Sequence, residues 1–201
     1  VFENCERARL HHSARLGIPG LFASASPPTG MQCAPSGYCS AAGIQALAHQ
    51  RVEFNASVSP YGSFPSILSR RSAGLAWYHR MLSLPYMQTQ YGSVEASDGT
   101  SIAPLLTWDA KVTTVLAMLG GTVQILRARL REDGKLDQFY EAISKMYHGK
   151  FAHVLMEAEG YDEEFARPPP SGSQHWLWNR LFGSKEVDFP TCRCSNTDGD
   201  L

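Results

Sequence analysis

The stretch VTTVLAMLGGTVQILRARL, residues 112–130, decides the fold class of this chain. Its apolar residues recur at steps of three and four, a spacing that places side chains on one face of an α-helix. The apolar positions are Val112, Val115, Leu116, Leu119, Val123, Leu126 and Leu130. The pattern predicts one long amphipathic helix, with Thr107 or Asp109 as its N-cap.

Further helical segments lie on both sides of this stretch. Residues 136–147 predict a helix that ends at Gly149, and residues 150–159 predict one that ends at Gly160. Towards the N-terminus, two more helices are predicted, over residues 40–50 and over residues 66–84 before Pro85. The polar residues 86–104 predict a connection with a turn, and no alternating run predicts a strand.

These segments predict a mostly α fold, with a small core of about four to five helices between long irregular N- and C-terminal arms. Residues 1–38 are predicted to be a basic, Pro/Gly-rich extended arm, because prolines and glycines crowd its second half. Residues 39–167 form the predicted helical core. Residues 168–201 begin with three prolines and continue as a tryptophan-rich tail.

Composition excludes several classes of protein. The chain has 201 residues, with 18 basic and 19 acidic side chains and a net charge of −1. This balance excludes a generally basic nucleic-acid binder, so no nucleic-acid partner is expected. Five cysteines are too few to form a disulfide scaffold at this length.

The basic side chains of the N-terminal half suggest a surface for a partner. Residues 1–94 contain seven arginines, three acidic residues and no lysine. Arginine binds carboxylates and phosphates through two parallel hydrogen bonds, so these side chains are predicted to clamp an acidic surface. The predicted partner-binding arginines are Arg7, Arg9, Arg15, Arg70 and Arg71.

Two apolar segments raise the question of membrane contact. The segment HWLWNRLFG, residues 175–183, predicts an anchor through Trp176, Trp178 and Phe182, for a protein partner or a membrane interface. The segment of residues 112–126 is 15 residues long, shorter than the roughly 20 that a membrane span needs. The pattern favours a buried amphipathic helix there, with a membrane span as the alternative.

One cysteine is the candidate nucleophile. Cys39 follows a glycine-containing loop and precedes a predicted helix, whose N-terminus would stabilise a thiolate. Gln32, Cys39, His153 and Asn179 occur in an order that resembles papain-like cysteine peptidases, although no Trp follows Cys39. The resemblance implies a cysteine-dependent hydrolase with His153 as base and Asn179 orienting it.

Other chemistry finds no support in the sequence. The seven histidines form neither HExxH nor a ligand pair on one helical face, and no phosphate-binding glycine motif occurs. The acidic cluster in residues 157–164 has the spacing of an exposed face rather than of a glycosidase pair. No metal and no cofactor are therefore expected.

A helical core with long arms and no complete catalytic motif favours a scaffolding role. The chain is predicted to be a non-enzymatic accessory subunit of a larger, organellar membrane-associated complex, with other subunits as partners. The composition of residues 7–28 favours the mitochondrion. The alternatives are the cysteine-dependent hydrolase and a secreted binding protein glycosylated at Asn55, in the triplet Asn55-Ala56-Ser57.

Overall fold

The computed structural model describes residues 1–16, 24–27, 36–39, 44–48, 50–52, 58–99, 101–156, 158–161 and 167–168. Its helices are α1 (Phe2–Leu16), α2 (Phe64–Ser69), α3 (Arg71–Leu82), α4 (Trp108–Met118), α5 (Val123–Glu132), α6 (Leu136–Met146) and α7 (Ala152–Leu155). Its strands are β1 (Ser24–Ser26), β2 (Gly37–Cys39), β3 (Gln88–Thr89), β4 (Gly92–Ser93), β5 (Ala96–Ser97) and β6 (Ile102–Ala103). Short 3₁₀ turns occupy Gln45–Leu47, Pro60–Ser63 and Ala158–Gly160, and a π-helical turn occupies Tyr147–Phe151.

The predicted class is confirmed: the fold is mostly α, with a small helical core. One part of the predicted N-terminal arm differs, because Phe2–Leu16 is a helix rather than an extended segment. Leu10 of this helix lies in the main hydrophobic cluster with Trp77, which explains why the segment folds onto the core. Of the predicted tail, residues 168–201, all but Pro168 lie outside the described residues.

The core forms around α3 and the segments that flank it. Trp77 and Met81 of α3 are buried against Val58, Met87 and Val94. Burying each such side chain contributes roughly 1.5–3 kcal/mol, so this cluster is the main source of stability in the described fold.

Close backbone packing joins α2 to α3. A Cβ on Gly74 would lie 2.3 Å from the backbone nitrogen of Ile67, a separation that only glycine permits. The single helix predicted over residues 66–84 is in fact two helices, α2 and α3. They are separated at Arg70, whose backbone is not helical.

The prediction of one long helix over residues 112–130 is wrong. Gly120 and Gly121 have φ values of 94° and 74°, in the left-handed region, and they end α4 before α5 begins. The apolar spacing continued across this break, which concealed it. The apolar face is also largely exposed: Leu119 keeps 76% of its surface accessible. It is therefore not the buried face that the spacing predicted.

Gly149 does not end a helix. The chain continues from α6 through the π-helical turn Tyr147–Phe151 directly into α7. None of the helices in the described ranges is both long and apolar enough to cross a membrane.

Two short hairpins occupy the segment predicted to be a polar connection. β3 pairs with β4 and β5 pairs with β6, both antiparallel, with Ala96 opposite Ala103 and Ser97 opposite Ile102. Val58 pairs with Ser97 in an isolated bridge, which ties the second hairpin to the core. This hairpin brings the residues just before β5 close to those that lead into α4.

Candidate active site

A buried carboxyl group lies where the second hairpin meets α4. Glu95 immediately precedes β5 and is only 4% exposed. The hydroxyl of Thr107 donates a hydrogen bond to its Oε2 over 2.8 Å, and the backbone N–H of Ala25 on β1 donates another to the carboxyl. The backbone carbonyl of Glu95 accepts from the Ser59 hydroxyl at 2.6 Å, so the residue is fixed at both main chain and side chain.

Thr107 reaches this carboxyl from the residue that precedes α4. Its φ and ψ of −85° and 139° are extended, as expected of an N-cap residue, but its side chain makes no cap hydrogen bond. The hydroxyl proton is directed to Glu95 instead. The sequence correctly indicated a helix start near Thr107 and missed this use of its side chain.

The surroundings of Glu95 favour its protonated form. Burial raises the pKa of Glu95 most strongly, and Asp109 raises it further, whereas the hydrogen bonds from Thr107 and Ala25 and the charge of Lys111 lower it. The net result is a raised pKa. A buried carboxyl of this kind can hold a proton at a pH where an exposed glutamate would have lost it, and can donate that proton in a reaction.

Lys111, on α4, supplies a positive charge that acts on Glu95. Its Nζ donates to the Ser93 hydroxyl oxygen over 2.9 Å, and burial lowers the pKa of Lys111 while Glu95 and Asp109 raise it. The carboxyl, the carboxylate of Asp109 and this ammonium therefore form one electrostatic group.

Two tyrosines adjoin this group. Burial raises the pKa of Tyr61, with further contributions from Tyr38, from the charge of Glu95 and from a hydrogen bond with Tyr38. Tyr61 is buried, whereas Tyr38 on β2 is 59% exposed and presents its ring at the surface. Tyr38 is thus an exposed aromatic side chain that is linked to the Glu95 group through its hydrogen bond with Tyr61.

The candidate cysteine and histidine belong to different parts of the fold. Cys39 is buried on β2, where it pairs with Ser24 of β1. His153 is exposed on α7, which packs on α1 and on the π-helical turn. Asn179 lies outside the described residues.

Most of the predicted partner-binding arginines contact groups within the chain. Arg9 forms a nearly buried ion pair with Glu6 at 2.7 Å. Arg7 and Arg70 both contact Glu3, at 3.1 Å and 3.4 Å.

The two remaining arginines differ in their surroundings. Arg71 donates to the backbone carbonyl of Met118 at 3.0 Å and so connects α3 to α4. Arg15 lines a cavity between α1 and α7, together with His11 and His12. The arginine-rich composition of the N-terminal half therefore reflects internal contacts at four of the five positions.

The remaining predicted sites have no structural description. Trp176, Trp178 and Phe182 lie outside the described residues. Within the described ranges, no group of three or more His, Cys, Asp or Glu side chains is placed to hold a metal ion.

Sequence reasoning did not find Glu95. A weak signal was present: Glu95 lies between Val94 and Ala96 in the segment GSVEASDG over residues 92–99, whose other acidic residue is Asp98. Two apolar neighbours on a polar connection indicate burial only weakly, and the structure shows that Val94, Glu95 and Ala96 are all buried.

Comparison with known proteins gives a consistent result. A family model described as endo-β-1,2-glucanase SGL matches residues 1–177. A solved structure of an endo-β-1,2-glucanase mutant from Talaromyces funiculosus, with β-1,2-glucan bound, is 30% identical, with a TM-score of 0.67 over 96% of this chain. A structure of the enzyme from the same organism with sophorose is 28% identical, with a TM-score of 0.66 over 90% of this chain. No curated protein gives a significant match.

The chain is shorter than these solved structures. It spans 37% of the length of each of the two. The family model, in contrast, matches most of this chain, from its first residue to residue 177.

These matches correct the functional prediction. The accessory-subunit, scaffold and mitochondrial assignments are wrong, as is the prediction of protein subunits as partners, because both similar structures are glycoside hydrolases with a saccharide bound. A cysteine-dependent hydrolase does not agree with them either. The alternative location, secretion, is compatible with the matches. This chain belongs to the endo-β-1,2-glucanase SGL family.

Proposed function

We propose that this chain is an endo-β-1,2-glucanase in which the carboxyl group of Glu95 protonates the glycosidic oxygen. The observation that carries the proposal is the buried, hydrogen-bonded carboxyl of Glu95 and its raised pKa. Most glycoside hydrolases need one carboxyl group that stays protonated until the bond breaks, and burial is the usual way to obtain it.

The comparisons support the choice of substrate. The similar structures contain β-1,2-glucan in one case and sophorose in the other, and the first of them is a glutamate-to-glutamine mutant. A glucan chain linked through 1,2 bonds is therefore the substrate class that we assign to this chain.

The reaction transfers one proton at this residue. The proton leaves the Glu95 carboxyl for the oxygen that links two glucose units, and the bond between that oxygen and the anomeric carbon breaks with its electrons remaining on the oxygen. Glu95 is left as a carboxylate. Water supplies the hydroxyl at the anomeric carbon and the proton that restores Glu95.

Most glycoside hydrolases use a second carboxylate as base or nucleophile. Asp109, exposed in the first turn of α4, acts electrostatically on Glu95. Asp109→Asn tests whether Asp109 is that second carboxylate. A loss of hydrolysis comparable to that of Glu95→Gln would assign the role to Asp109. A modest change in the pH profile would show that Asp109 is only a neighbouring charge.

The direct test is hydrolysis of linear β-1,2-glucan by the purified chain, followed by the chain-length distribution of the products. We expect internal cleavage, with long products that shorten over time, and a loss of about 100-fold or more in kcat for Glu95→Gln. Glu141→Gln is the matched control, because Glu141 is an exposed residue of α6 paired only with Lys145. No hydrolysis by the unmodified chain, or an unchanged rate for Glu95→Gln, would contradict the proposal.

We further propose that the protein acts outside the cell. A polymeric glucan does not cross a membrane, so an enzyme that cleaves its internal bonds must meet it where the polymer is. Detection of the protein in the culture fluid of the source organism, rather than in its cell extract, tests this location.

A further inference from the structure

We propose that Thr107 is a positioning residue for the reaction: its hydroxyl holds Glu95 by Oε2 and stabilises the carboxylate that remains after the proton has left. This inference rests on the proposed function of Glu95. It concerns how the acid is oriented.

The fold brings these two residues together through the second hairpin. Glu95 lies one residue before β5, and Thr107 lies four residues after the end of β6. The antiparallel pairing of Ala96 with Ala103 fixes the two ends of the hairpin side by side. The 2.8 Å hydrogen bond between side chains 12 residues apart is therefore a product of the hairpin and not of local sequence.

Helix α4 forgoes a stabilising contact in this arrangement. A threonine before the first turn of a helix ordinarily accepts a hydrogen bond from a backbone N–H of that turn. Thr107 occupies the position and makes no such bond, because its side chain is turned to Glu95. A residue that departs from its usual local role, without stabilising its own helix, often does so because a functional site requires it.

The chemistry of a carboxyl group explains the benefit. A hydroxyl that donates to Oε2 binds the ionised carboxylate more strongly than the neutral acid, because hydrogen bonds to a charged acceptor are the stronger ones. Its contribution therefore grows as the proton leaves the carboxyl group, which is the condition for accelerating the step.

Other groups act on Glu95 from each element around it. Asp109 and Lys111 act from α4, and the backbone N–H of Ala25 acts from β1, whereas Tyr61, in the 3₁₀ turn Pro60–Ser63, is itself influenced by the charge of Glu95. Thr107 differs from them in donating a side-chain hydrogen bond to a defined carboxyl oxygen, Oε2.

The test compares Thr107→Val, which removes the hydroxyl at nearly constant shape, with Thr107→Ser, which restores it. For Thr107→Val we expect kcat to fall about tenfold with KM within about twofold of the unmodified protein. The alkaline limb of the rate profile moves to higher pH, because loss of the donor raises the pKa of Glu95. Thr107→Ser is expected to restore both properties.

The control is Thr113→Val, at a residue of α4 whose hydroxyl donates only to backbone carbonyls of its own helix, those of Asp109 and Ala110. It should leave kcat and the pH profile unchanged. If Thr107→Val loses helical structure by circular dichroism, the hydroxyl serves the fold and the positioning role is overturned. An unchanged rate profile for Thr107→Val, or a Thr107→Ser variant as impaired as the valine, overturns it equally.

The two proposals fail in different ways. An active Glu95→Gln variant removes the proposed function and this inference with it. An inactive Glu95→Gln together with a normal Thr107→Val removes the positioning role of Thr107 alone.

Discussion

Two regions of this molecule have similar apolar content and opposite burial. The segment from Val58 to Ala103 contains Trp77 and Met81, both almost fully buried in the main cluster. Helices α5 and α6 carry apolar residues at regular helical spacing, and neither helix contains a buried residue. Helical periodicity therefore identifies which face of a helix is apolar and gives no information about whether anything covers that face.

The carboxyl group of Glu95 belongs to the buried region, and this determines its chemistry. A glutamate on α5 or α6 is exposed, as Glu132 and Glu141 are, and forms ion pairs within its own helix. Such surface pairs contribute little energy. The same side chain placed before β5 loses contact with water, and its pKa rises as a result.

The largest expected effect on the free energy of unfolding comes from a substitution in the buried region. Trp77→Ala removes a side chain that is 1% exposed, and we expect it to lower the free energy of unfolding by about 3–5 kcal/mol, because a cavity remains. Ile125→Ala on α5, where the side chain is 72% exposed, should change it by less than about 0.5 kcal/mol. Urea denaturation of the two variants measures both values, and equal losses would contradict the division into regions.

Two glycine substitutions are expected to have smaller effects on stability, with opposite signs in the two regions. Gly74→Ala places a Cβ 2.3 Å from the Ile67 backbone, and we expect a loss of about 1–3 kcal/mol as α2 and α3 move apart. Gly149→Ala meets no atom within 4 Å in the π-helical turn and should stabilise the chain by about 0.4–1 kcal/mol. Thermal unfolding of both variants checks the opposite signs, and two changes of the same sign would refute the distinction.

The smallest expected effect is the pH dependence that Glu95 gives to the free energy of unfolding. Its pKa is raised above the ordinary value of 4.5, so the folded chain binds its proton more tightly than the unfolded chain does. The contribution of Glu95 to stability is present below about pH 4.5 and is lost as the pH rises through its folded pKa. Glu95→Gln carries no such proton and should be relatively more stable at pH 7 than at pH 4.

Measurement of the free energy of unfolding against pH for the unmodified chain and for Glu95→Gln checks this sign. The difference between them is expected to grow in favour of the glutamine variant as the pH rises. A constant difference across this range would show that the carboxyl titrates normally.

The sequence predicted the features that depend on neighbouring residues. The mostly α class, a helix ending shortly before Pro85 and a helix beginning after Thr107 all follow from local spacing and end signals. The break at Gly120 and Gly121 was missed because the apolar pattern continues across it, although both glycines adopt positive φ.

The site could not be predicted in the same way. Glu95 and Thr107 are brought together by a hairpin of two-residue strands, which leaves almost no periodic signal in the sequence. The arginines show the converse: their composition suggested an outer surface, while Arg9 in fact forms its ion pair with Glu6 inside the fold. Composition records which groups are present, and only tertiary contacts decide which of them face one another.

The most direct test of the account is the titration of the Glu95 carboxyl by ¹³C NMR, read beside the pH dependence of β-1,2-glucan hydrolysis. We expect Glu95 to titrate above its ordinary pKa of 4.5, and hydrolysis to decline over the pH range in which this carboxyl ionises. A carboxyl that titrates at its ordinary value, or hydrolysis that persists unchanged after Glu95 has ionised, would contradict its role as the acid.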